Sequence, residues 1–319
     1  MSKPKVFIDG QEGTTGLDIH NRLWHNDAIE LLTIEPALRK DAGARKKLIN
    51  DADVVILALP DAAAREAVAL LDADNRRTRV LDASTAHRTA DGWQYGLPEL
   101  IATPLDEALD PELYRFADLI RVSRFVANPG CHATGFIMAV HPLVFFEAIS
   151  RDALLTCTSL TGYSGGGKKM IAEYEHEKTD PLFAPAVYGL SQEHKHLPEM
   201  TKYSGLRAAP VFLPIVDDFY KGMAVNIGLH GRQLLRRYTP ETLAELYAQY
   251  YAGQTGVAVR VAAADEKLYA TRLAGRDDIE LVIAGNEERV TVTALFDNLG
   301  KGASGAAEKN LTLMLSSVS

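Results

Sequence analysis

The sequence predicts an α/β protein, with a doubly wound parallel sheet in the first half and an α+β domain with a mostly antiparallel or mixed sheet in the second. Strand-like and helix-like segments alternate up to about residue 85, which is typical of a parallel sheet with helices on both faces. From about residue 153, long strand-like segments follow one another with fewer helices between them. A length of 319 residues suits two domains rather than one.

The composition narrows the class of function. Apolar residues make up 47% of the chain and charged residues 24%, as in ordinary globular proteins, and no apolar run is long enough to span a bilayer. The net charge of −8 argues against a nucleic-acid or anionic-membrane partner. The two cysteines form no disulfide framework, and the first residues lead straight into a strand, without room for a signal peptide. We therefore expect a cytoplasmic enzyme without a membrane or nucleic-acid partner.

The first motif is a glycine-rich turn. Residues 5–9 form a β-branched and aromatic run, Gly10, Gly13 and Gly16 follow, and apolar residues then recur at helical spacing. This order of strand, turn and helix is a variant of the dinucleotide fingerprint, in which the glycines let a pyrophosphate approach the helix N-terminus. The alternative is a purely structural turn. The flanking strand and helix favour nucleotide binding.

The second strand leaves the choice of dinucleotide open. Residues 29–34 are followed by Glu35. This position is close to the one at which the fingerprint has an acidic residue that binds the ribose 2′-hydroxyl. Arg39, Lys40 and the basic residues 45–47 follow at once, and such a cluster suits a 2′-phosphate. The same cations could also form a solvated helix face. Both NAD and NADP are compatible with this pattern.

Two more strands are predicted in the first sheet. Residues 53–60 are almost entirely apolar, which suits a central parallel strand, and residues 79–82 form the next one. Ligands bind beyond the carboxyl ends of such strands, where Ser84 and Thr85 are expected. A mixed helical connection then extends to about residue 120.

Cys131 is the candidate nucleophile. The residues before it, Asn128-Pro129-Gly130, are typical of a turn, and the apolar run 133–140 after it predicts a buried helix. The helix N-terminus would stabilise a thiolate. The alternative is a small buried apolar residue, which is our interpretation of Cys157 within a strand.

Three later segments supply polar groups. Residues 161–169 predict a flexible glycine loop that holds an anion or acts as a lid, with a plain solvent loop as the alternative, and Arg88, Ser164, Lys168 and Lys169 are phosphate-binding candidates. His194 and His196 lie just before a proline that can begin a helix, and they are acid/base candidates by residue type. A second glycine-rich turn enters a C-terminal helix, which we expect to return to the first domain and to bring Asn298 and Gly302 towards the cofactor.

A dinucleotide fold together with an activated cysteine predicts a particular chemistry. A thiolate attacks an acyl carbon, phosphate or another group leaves, and a hydride moves between nicotinamide and the thioester or thiohemiacetal. Two alternatives from other classes are a nucleotide-sensing regulator on an inactive dehydrogenase scaffold and a cysteine hydrolase without a cofactor. No metal site is predicted.

Six motifs carry a family resemblance: Gly10-x-x-Gly13-x-x-Gly16, DAST at 82–85, YGLPE at 95–99, NPGC at 128–131, HKHLPE at 194–199 and NLGKGASG at 298–305. Together they resemble the N-acetyl-gamma-glutamyl-phosphate reductase family, in its shorter, type 2 branch, over nearly the whole chain. The departures are small. Thr85-Ala86-His87-Arg88 replaces a commoner Ala-Asp-Phe-Arg, and Glu35 lies where an NADP enzyme would rather have no acid.

The resemblance implies NADPH-dependent reduction of N-acetyl-glutamyl 5-phosphate to N-acetyl-glutamate 5-semialdehyde and phosphate, in arginine biosynthesis. It implies that Cys131 is the nucleophile, that His194 and His196 supply the acid/base, with a slight preference for His194, and that Glu199 binds or orients substrate. The implied cofactor-binding residues are Gly10, Gly13, Thr14, Thr15, Gly16, Ser84, Asn298 and Gly302.

The resemblance further implies a semialdehyde-dehydrogenase-like organisation. Residues 1–130, with a returning helix at 301–319, would form a Rossmann-type dinucleotide domain, and residues 131–300 a catalytic and oligomerisation domain of a homodimer or homotetramer. Aspartate-semialdehyde dehydrogenase and an N-acetyl-aminoadipyl-phosphate reductase remain as alternative activities with the same chemistry.

Overall fold

The computed structural model describes residues 2–102 and 115–316, and these divide into two compact units. Met1–Pro129 and Ala303–Ser319 form the first unit, and Gly130–Gly302 forms the second. Part of the connection predicted up to about residue 120 lies outside the described residues. In the described part of the chain, no helix is both long enough and apolar enough to cross a membrane.

Both units contain strands and helices. The strands are β1 (Lys5–Asp9), β2 (Glu30–Leu32), β3 (Val54–Leu57), β4 (Arg79–Asp82), β5 (Gln94–Tyr95), β6 (Phe125–Ala127), β7 (Thr156–Gly162), β8 (Ala186–Val187), β9 (Val211–Asp217), β10 (Met223–His230), β11 (Val257–Val261), β12 (Ile279–Gly285) and β13 (Arg289–Phe296). The helices are α1 (Thr14–Leu23), α2 (Ala42–Asp51), α3 (Asp61–Ala69), α4 (Phe116–Val122), α5 (Cys131–Phe145), α6 (Gly167–Glu175), α7 (Leu197–Ser204), α8 (Pro240–Tyr250) and α9 (Gly305–Leu315).

The first unit contains the predicted doubly wound parallel sheet. Within the described residues its strand order is β2-β1-β3-β4-β6-β5, and neighbouring strands are parallel throughout. One face packs on α1, α4 and α9 through residues such as Ile19, Ile120 and Leu311. The opposite face packs on α2 and α3 through Ile49 and Ala64. Burial on both faces explains why β3 is apolar at every position.

The second unit contains a mixed sheet, as predicted, and one helix that is buried along most of its length. The described strands have the order β11-β12-β13-β10-β7-β9-β8, and β12 and β13 form an antiparallel pair. Helix α5 packs on β10 and β13, where a Cβ at Gly135 would lie 2.6 Å from a side-chain atom of Val225. The glycine therefore permits a close approach of helix to sheet.

The prediction of a flexible loop at residues 161–169 is wrong. The chain ends β7 at Gly162, makes a 3₁₀ turn over Tyr163–Gly166 and continues as α6. Residues from Lys168 onwards are mostly good helix formers, and Tyr174 anchors the helix because its ring is buried and stacks on Tyr163 at 4.7 Å. The glycines form the entry to a helix rather than a lid.

Candidate active site

The first unit contains a turn in which two glycines are required by its own packing. Gly10 follows β1 with φ of +92°, and a Cβ there would lie 2.4 Å from the carbonyl oxygen of Ala58. A Cβ at Gly16 would lie 2.3 Å from the carbonyl oxygen of Gly10. A Cβ at Gly13 would meet nothing nearer than 3.7 Å. The protein itself therefore leaves space beside Gly13, at the start of α1.

The N-terminus of α1 has groups that a phosphate could satisfy. Gly13 is the N-cap residue, no side chain caps the helix, and Thr14 and Thr15 form its first turn. The hydroxyl oxygen of Thr14 is buried and has no hydrogen-bond partner among the described residues. Free N–H groups, an unsatisfied hydroxyl and a glycine cradle together fit the pyrophosphate of a dinucleotide.

A cavity of about 300 Å³ adjoins this turn and contains three cations in its wall. It is lined by Ile8, Asp9, Gly10, Gln11, Glu12, Ile34, Arg39, Lys40, Arg45, Leu59 and Ala63. Arg45 donates to the Asp9 carboxylate at 2.8 Å, and Arg39 pairs with Glu12. Glu35 is exposed and is not part of the lining. The wall beyond the end of β2 therefore carries three cations and two carboxylates.

Ser84 lies in the loop after β4, at the carboxyl edge of the sheet. Its backbone N–H and its hydroxyl both donate to the Asp82 carboxylate at 2.8 Å, and His87 contacts the same carboxylate at 2.6 Å. The His87 ring in turn stacks on Trp93 at a centroid distance of 4.0 Å. This buried cluster holds the loop in one conformation.

Arg88, predicted to bind substrate, is buried within the first unit. Its Nε donates to the carbonyl oxygen of Asn128 at 2.9 Å, and a terminal nitrogen donates to the carbonyl oxygen of Ala83 at 3.4 Å. These bonds tie the loop after β4 to the turn after β6. The structure thus shows a bracing function for Arg88 within the first unit.

In the second unit, Cys131 is the first residue of α5 and is half-buried. The N–H of Gly130 donates to Glu199 Oε2 at 3.1 Å, and Glu199 is 1% exposed. A Cβ at Gly302 would lie 2.8 Å from the Cβ of Cys131. Gly302 thus packs directly on the cysteine, and Glu199 fixes the turn that presents it.

The two predicted histidines lie at the start of α7, with His196 as its N-cap residue. The backbone N–H of His196 donates to Nδ1 of His194 at 3.2 Å, so this nitrogen carries a lone pair and the neutral ring is protonated at Nε2. Burial, followed by the charge of Lys195, lowers the pKa of His194 to about 4. Nε2 of His196 lies 4.0 Å from Glu199 Oε1.

The segment before these histidines is fixed by Gln192. This residue has φ of +58°, and its side-chain amide makes two hydrogen bonds of 2.8 Å with the backbone of Phe212 on β9. Asn and Gln side chains can replace a strand neighbour in this way because they offer a donor and an acceptor together. The paired histidines are thus held against the edge region of the sheet.

His132 and Tyr188 are polar residues of this site that the sequence analysis missed. His132 is 3% exposed, and its ring centroid lies 5.6 Å from that of His194 and 5.5 Å from that of His196. Its Nδ1 lies 2.7 Å from Ser159 Oγ and its Nε2 lies 2.8 Å from the Tyr188 hydroxyl. The signal for His132 was its position next to Cys131, whereas Tyr188 has no local signal.

The remaining predicted site residues differ in what they contact. Asn298 is 1% exposed, donates to Ser164 Oγ at 2.9 Å and accepts from the N–H of Gly222 at 2.9 Å. Ser164 is equally buried. Both side chains therefore brace the turn after β7. Lys168 is exposed in the first turn of α6.

Two family models match successive parts of the chain. Residues 5–108 match the family model described as semialdehyde dehydrogenase, NAD binding domain, and residues 131–298 match the semialdehyde dehydrogenase, dimerisation domain. N-acetyl-gamma-glutamyl-phosphate reductase from Sinorhizobium medicae (strain WSM419) is 44% identical over 98% of this chain and 99% of that protein. The chain belongs to the N-acetyl-gamma-glutamyl-phosphate reductase family. N-acetyl-gamma-glutamyl-phosphate reductase 2 from Pseudomonas putida (strain KT2440) is also 44% identical, over 99% of this chain and 98% of that protein.

Solved structures show the same fold at low sequence identity. Aspartate semialdehyde dehydrogenase II from Vibrio cholerae superposes with a TM-score of 0.70 at 15% identity, covering 99% of both chains. The aspartate semialdehyde dehydrogenase from Francisella tularensis gives 0.70 at 13% identity, covering 98% of this chain and 100% of that one. These structures show the shared fold, and the family-model match of residues 5–108 is what identifies a nicotinamide-dinucleotide domain in this chain.

Proposed function

We propose that this protein catalyses the NADPH-dependent reduction of N-acetyl-glutamyl 5-phosphate to N-acetyl-glutamate 5-semialdehyde and phosphate, in the arginine biosynthesis of the cytoplasm. The names of relatives at 44% identity support the substrate. The observation that carries the chemistry is Cys131 at the N-terminus of α5, with Glu199 bonded to the preceding residue and two histidines at the start of α7.

Cys131 acts as the nucleophile in this proposal. Its thiolate attacks the acyl carbon, a carbon–sulfur bond forms, and the carbon–oxygen bond to phosphate breaks, with the electron pair leaving on phosphate. Cys131 then carries the acyl group as a thioester. Bound NADPH would supply the hydride that reduces the thioester carbon. The resulting alkoxide collapses, the carbon–sulfur bond breaks, and the aldehyde leaves with the thiolate regenerated.

The proposal assigns different functions to the two histidines. His194 accepts a backbone N–H at Nδ1, so its Nε2–H can donate a hydrogen bond but cannot take a proton. His196 lies within 4.0 Å of the Glu199 carboxylate, which would stabilise an imidazolium. We therefore assign the acid/base to His196, which reverses the slight preference for His194 from sequence, and assign to His194 a hydrogen bond to substrate.

NADPH rather than NADH is proposed because three cations line the cavity. Arg39 Nε is buried without a hydrogen-bond partner among the described residues, and Lys40 and Arg45 line the same space. We expect Arg39→Ala to raise KM for NADPH about tenfold, equivalent to about 1.4 kcal/mol, and to leave KM for NADH unchanged. Lys47→Ala, an exposed cation outside the lining, is the control. Equal effects on both cofactors would contradict a 2′-phosphate site.

The proposal also assigns functions to the units. The first unit, including α9, would bind the dinucleotide, and the second unit would carry substrate and form the interface of a homodimer or homotetramer. The match of residues 131–298 to a dimerisation domain supports the interface. Sedimentation velocity on the full chain distinguishes dimer from tetramer, and a monomer at micromolar concentration would contradict this part.

The test of substrate is a comparison of three acyl phosphates. NADPH oxidation is measured with N-acetyl-glutamyl 5-phosphate, aspartyl phosphate and N-acetyl-aminoadipyl phosphate under identical conditions. We expect kcat/KM for the first to exceed the others by at least about 100-fold, or 2.7 kcal/mol, since the family's relatives are named for it. A preference for either of the others, or NADPH binding without any turnover, would replace the proposed function.

A further inference from the structure

A chain of three polar side chains includes His132, the residue that follows Cys131 on α5. Ser159 on β7, His132 on α5 and Tyr188 after β8 are joined by hydrogen bonds of 2.7 and 2.8 Å. Ser159 is fully buried and His132 is 3% exposed. The proposed function uses none of the three. Their chemistry fixes which of them can donate a hydrogen bond to a reacting group.

Ser159 determines which groups donate and which accept in this series of hydrogen bonds. Its hydroxyl has one hydrogen-bond partner among the described residues, Nδ1 of His132. A buried hydroxyl that donates no hydrogen bond costs about 1–3 kcal/mol. Ser159 therefore donates its proton to Nδ1, which must carry a lone pair. The proton of the neutral imidazole is then on Nε2.

His132 remains neutral in this position. Burial lowers its pKa to about 3, and the charges of His194 and Lys195 act in the same direction. The neutral ring protonated at Nε2 donates to the oxygen of the Tyr188 hydroxyl at 2.8 Å. Tyr188 is thus an acceptor towards His132, and its own O–H is directed away from the histidine.

A charge on Cys131 acts on the Tyr188 phenol. Burial raises the pKa of the Tyr188 phenol, and negative charge on Cys131 raises it further, so the phenol keeps its proton. Among the described residues the Tyr188 hydroxyl bonds only to His132. A neutral phenol whose oxygen accepts an N–H is a stronger donor, because hydrogen bonds in a chain polarise one another.

We propose that the Tyr188 hydroxyl donates a hydrogen bond to the acyl oxygen of the group on Cys131 as that oxygen becomes an alkoxide, with His132 and Ser159 as positioning residues that set its direction. This inference rests on the proposed thioester chemistry. No bond of Tyr188 is made or broken, and no proton is transferred. Donors aimed at a developing oxyanion lower the barrier because they need no reorganisation.

The direct test is the tautomer of His132 in the full-length protein. With histidine rings labelled with ¹⁵N, long-range proton–nitrogen spectra distinguish a ring protonated at Nε2 from one protonated at Nδ1. We expect the neutral Nε2–H form between about pH 6 and 9, assigned through the signals lost in His132→Gln. The Nδ1–H form, or an imidazolium in this range, would overturn the proposal without any use of activity.

The kinetic test removes first the Tyr188 hydroxyl and then the side chains that orient it, Ser159 and His132. We expect Tyr188→Phe to lower kcat about 100-fold with little change in KM, as for loss of one oxyanion donor. Ser159→Ala should lower kcat about tenfold and add nothing to Tyr188→Phe, because the two act through one chain of hydrogen bonds. His132→Gln, whose amide can still donate to Tyr188, should retain more turnover than His132→Leu. Additive losses, or kcat near that of the parent in Tyr188→Phe, would contradict the inference.

Matched controls separate this inference from general damage and from the proposed function. Tyr251→Phe removes a buried hydroxyl that bonds to the carbonyl of Met138, and Ser204→Ala removes one on α7, and both should leave kcat unchanged. Alkylation of Cys131 should inactivate the parent, and its pH dependence should be the same in Tyr188→Phe. Parent activity that survives alkylation would refute the thioester chemistry itself. A pH dependence of alkylation that shifts in Tyr188→Phe would instead show that the hydroxyl donates to the Cys131 thiolate, which would contradict the inference.

Discussion

Helix α1 in the first unit and helix α5 in the second both begin after a glycine in extended conformation, Gly13 and Gly130, and neither has a side-chain cap. The start of α1 is left open, with an unsatisfied Thr14 hydroxyl and space beside Gly13. The start of α5 is closed, because Glu199 accepts the Gly130 N–H and Gly302 packs on Cys131. In the proposed function, the positive end of a helix would bind the anion of a ligand in the first unit and stabilise the Cys131 thiolate in the second.

The two helices also differ in their support. Helix α1 buries only its inner face, at positions such as Ile19 and Leu23, whereas α5 is buried from His132 to Leu143. A ligand site must remain accessible, and a nucleophile must not move. We therefore expect substitutions at α1 to change cofactor affinity and substitutions at α5 to change turnover.

The largest effect expected is the loss of the nucleophile. Cys131→Ala should lower kcat at least about 10⁴-fold, since no other group can form the thioester, while NADPH affinity by fluorescence titration is unchanged. Cys157→Ala is the matched control. Cys157 is fully buried on β7, and its loss should cost about 1–2 kcal/mol of stability without loss of turnover. Retained turnover in Cys131→Ala would contradict the assignment of Cys131, at the start of α5, as the nucleophile.

Removing the charge of Glu199, which accepts the Gly130 N–H at the start of α5, should have the next largest effect. Glu199→Gln keeps an acceptor for the Gly130 N–H and removes the charge near His196, so the fold should persist. We expect kcat to fall about 100-fold and the pH profile of kcat to shift, as for an altered acid/base. Glu245→Gln, on the exposed side of α8, should be silent. A parent-like pH profile would mean that Glu199 only holds the turn.

The open helix start is tested at Gly13. A methyl group fits there in the protein itself, since the nearest contact would be 3.7 Å, but it would meet a pyrophosphate resting on α1. Gly13→Ala should raise Kd for NADPH at least about tenfold, or 1.4 kcal/mol, with an unchanged melting temperature. Gly228→Ala, where a methyl group meets nothing within 4 Å, should change neither quantity. Unchanged affinity in Gly13→Ala would place the cofactor elsewhere.

The smallest expected effect concerns stability and pH at α5. Burial lowers the pKa of His141 to about 4, so the folded protein binds its proton less readily than the unfolded chain does. The stability that neutral His141 contributes is fully present above about pH 6.5 and is lost as the pH falls towards 4. At pH 5 the loss of unfolding free energy amounts to about 2 kcal/mol. The fall in unfolding free energy between pH 8 and 5 should shrink by about this amount in His141→Gln, and not in the exposed His25→Gln. Equal falls in both variants would contradict this origin.

Local patterns sufficed for much of the fold and for the chemistry-bearing turns. The strand, glycine turn and helix around Gly10 and the helix that begins at Cys131 depend on neighbouring residues and were predicted. Long-range pairing was not predictable in this way. Strand β7 pairs with both β9 and β10, which are consecutive in sequence, and nothing local encodes this arrangement.

The same limit applies to the site. His132 and Tyr188 are 56 residues apart, so their hydrogen bond is visible only after the second unit has folded. Conversely, Arg88, Ser164 and Asn298 have the residue types that bind phosphate, but in the structure their polar groups bond to the protein. Residue type alone could not separate a bracing side chain from one offered to a ligand.

The most direct measurement for the central claim is the mass of the protein mixed with N-acetyl-glutamyl 5-phosphate in the absence of NADPH. The thioester chemistry requires one N-acetyl-glutamyl group per chain, mapped by peptide analysis to Cys131 and discharged on adding NADPH at least as fast as turnover. An adduct on another residue, or turnover by a protein that never gains the acyl mass, would contradict it.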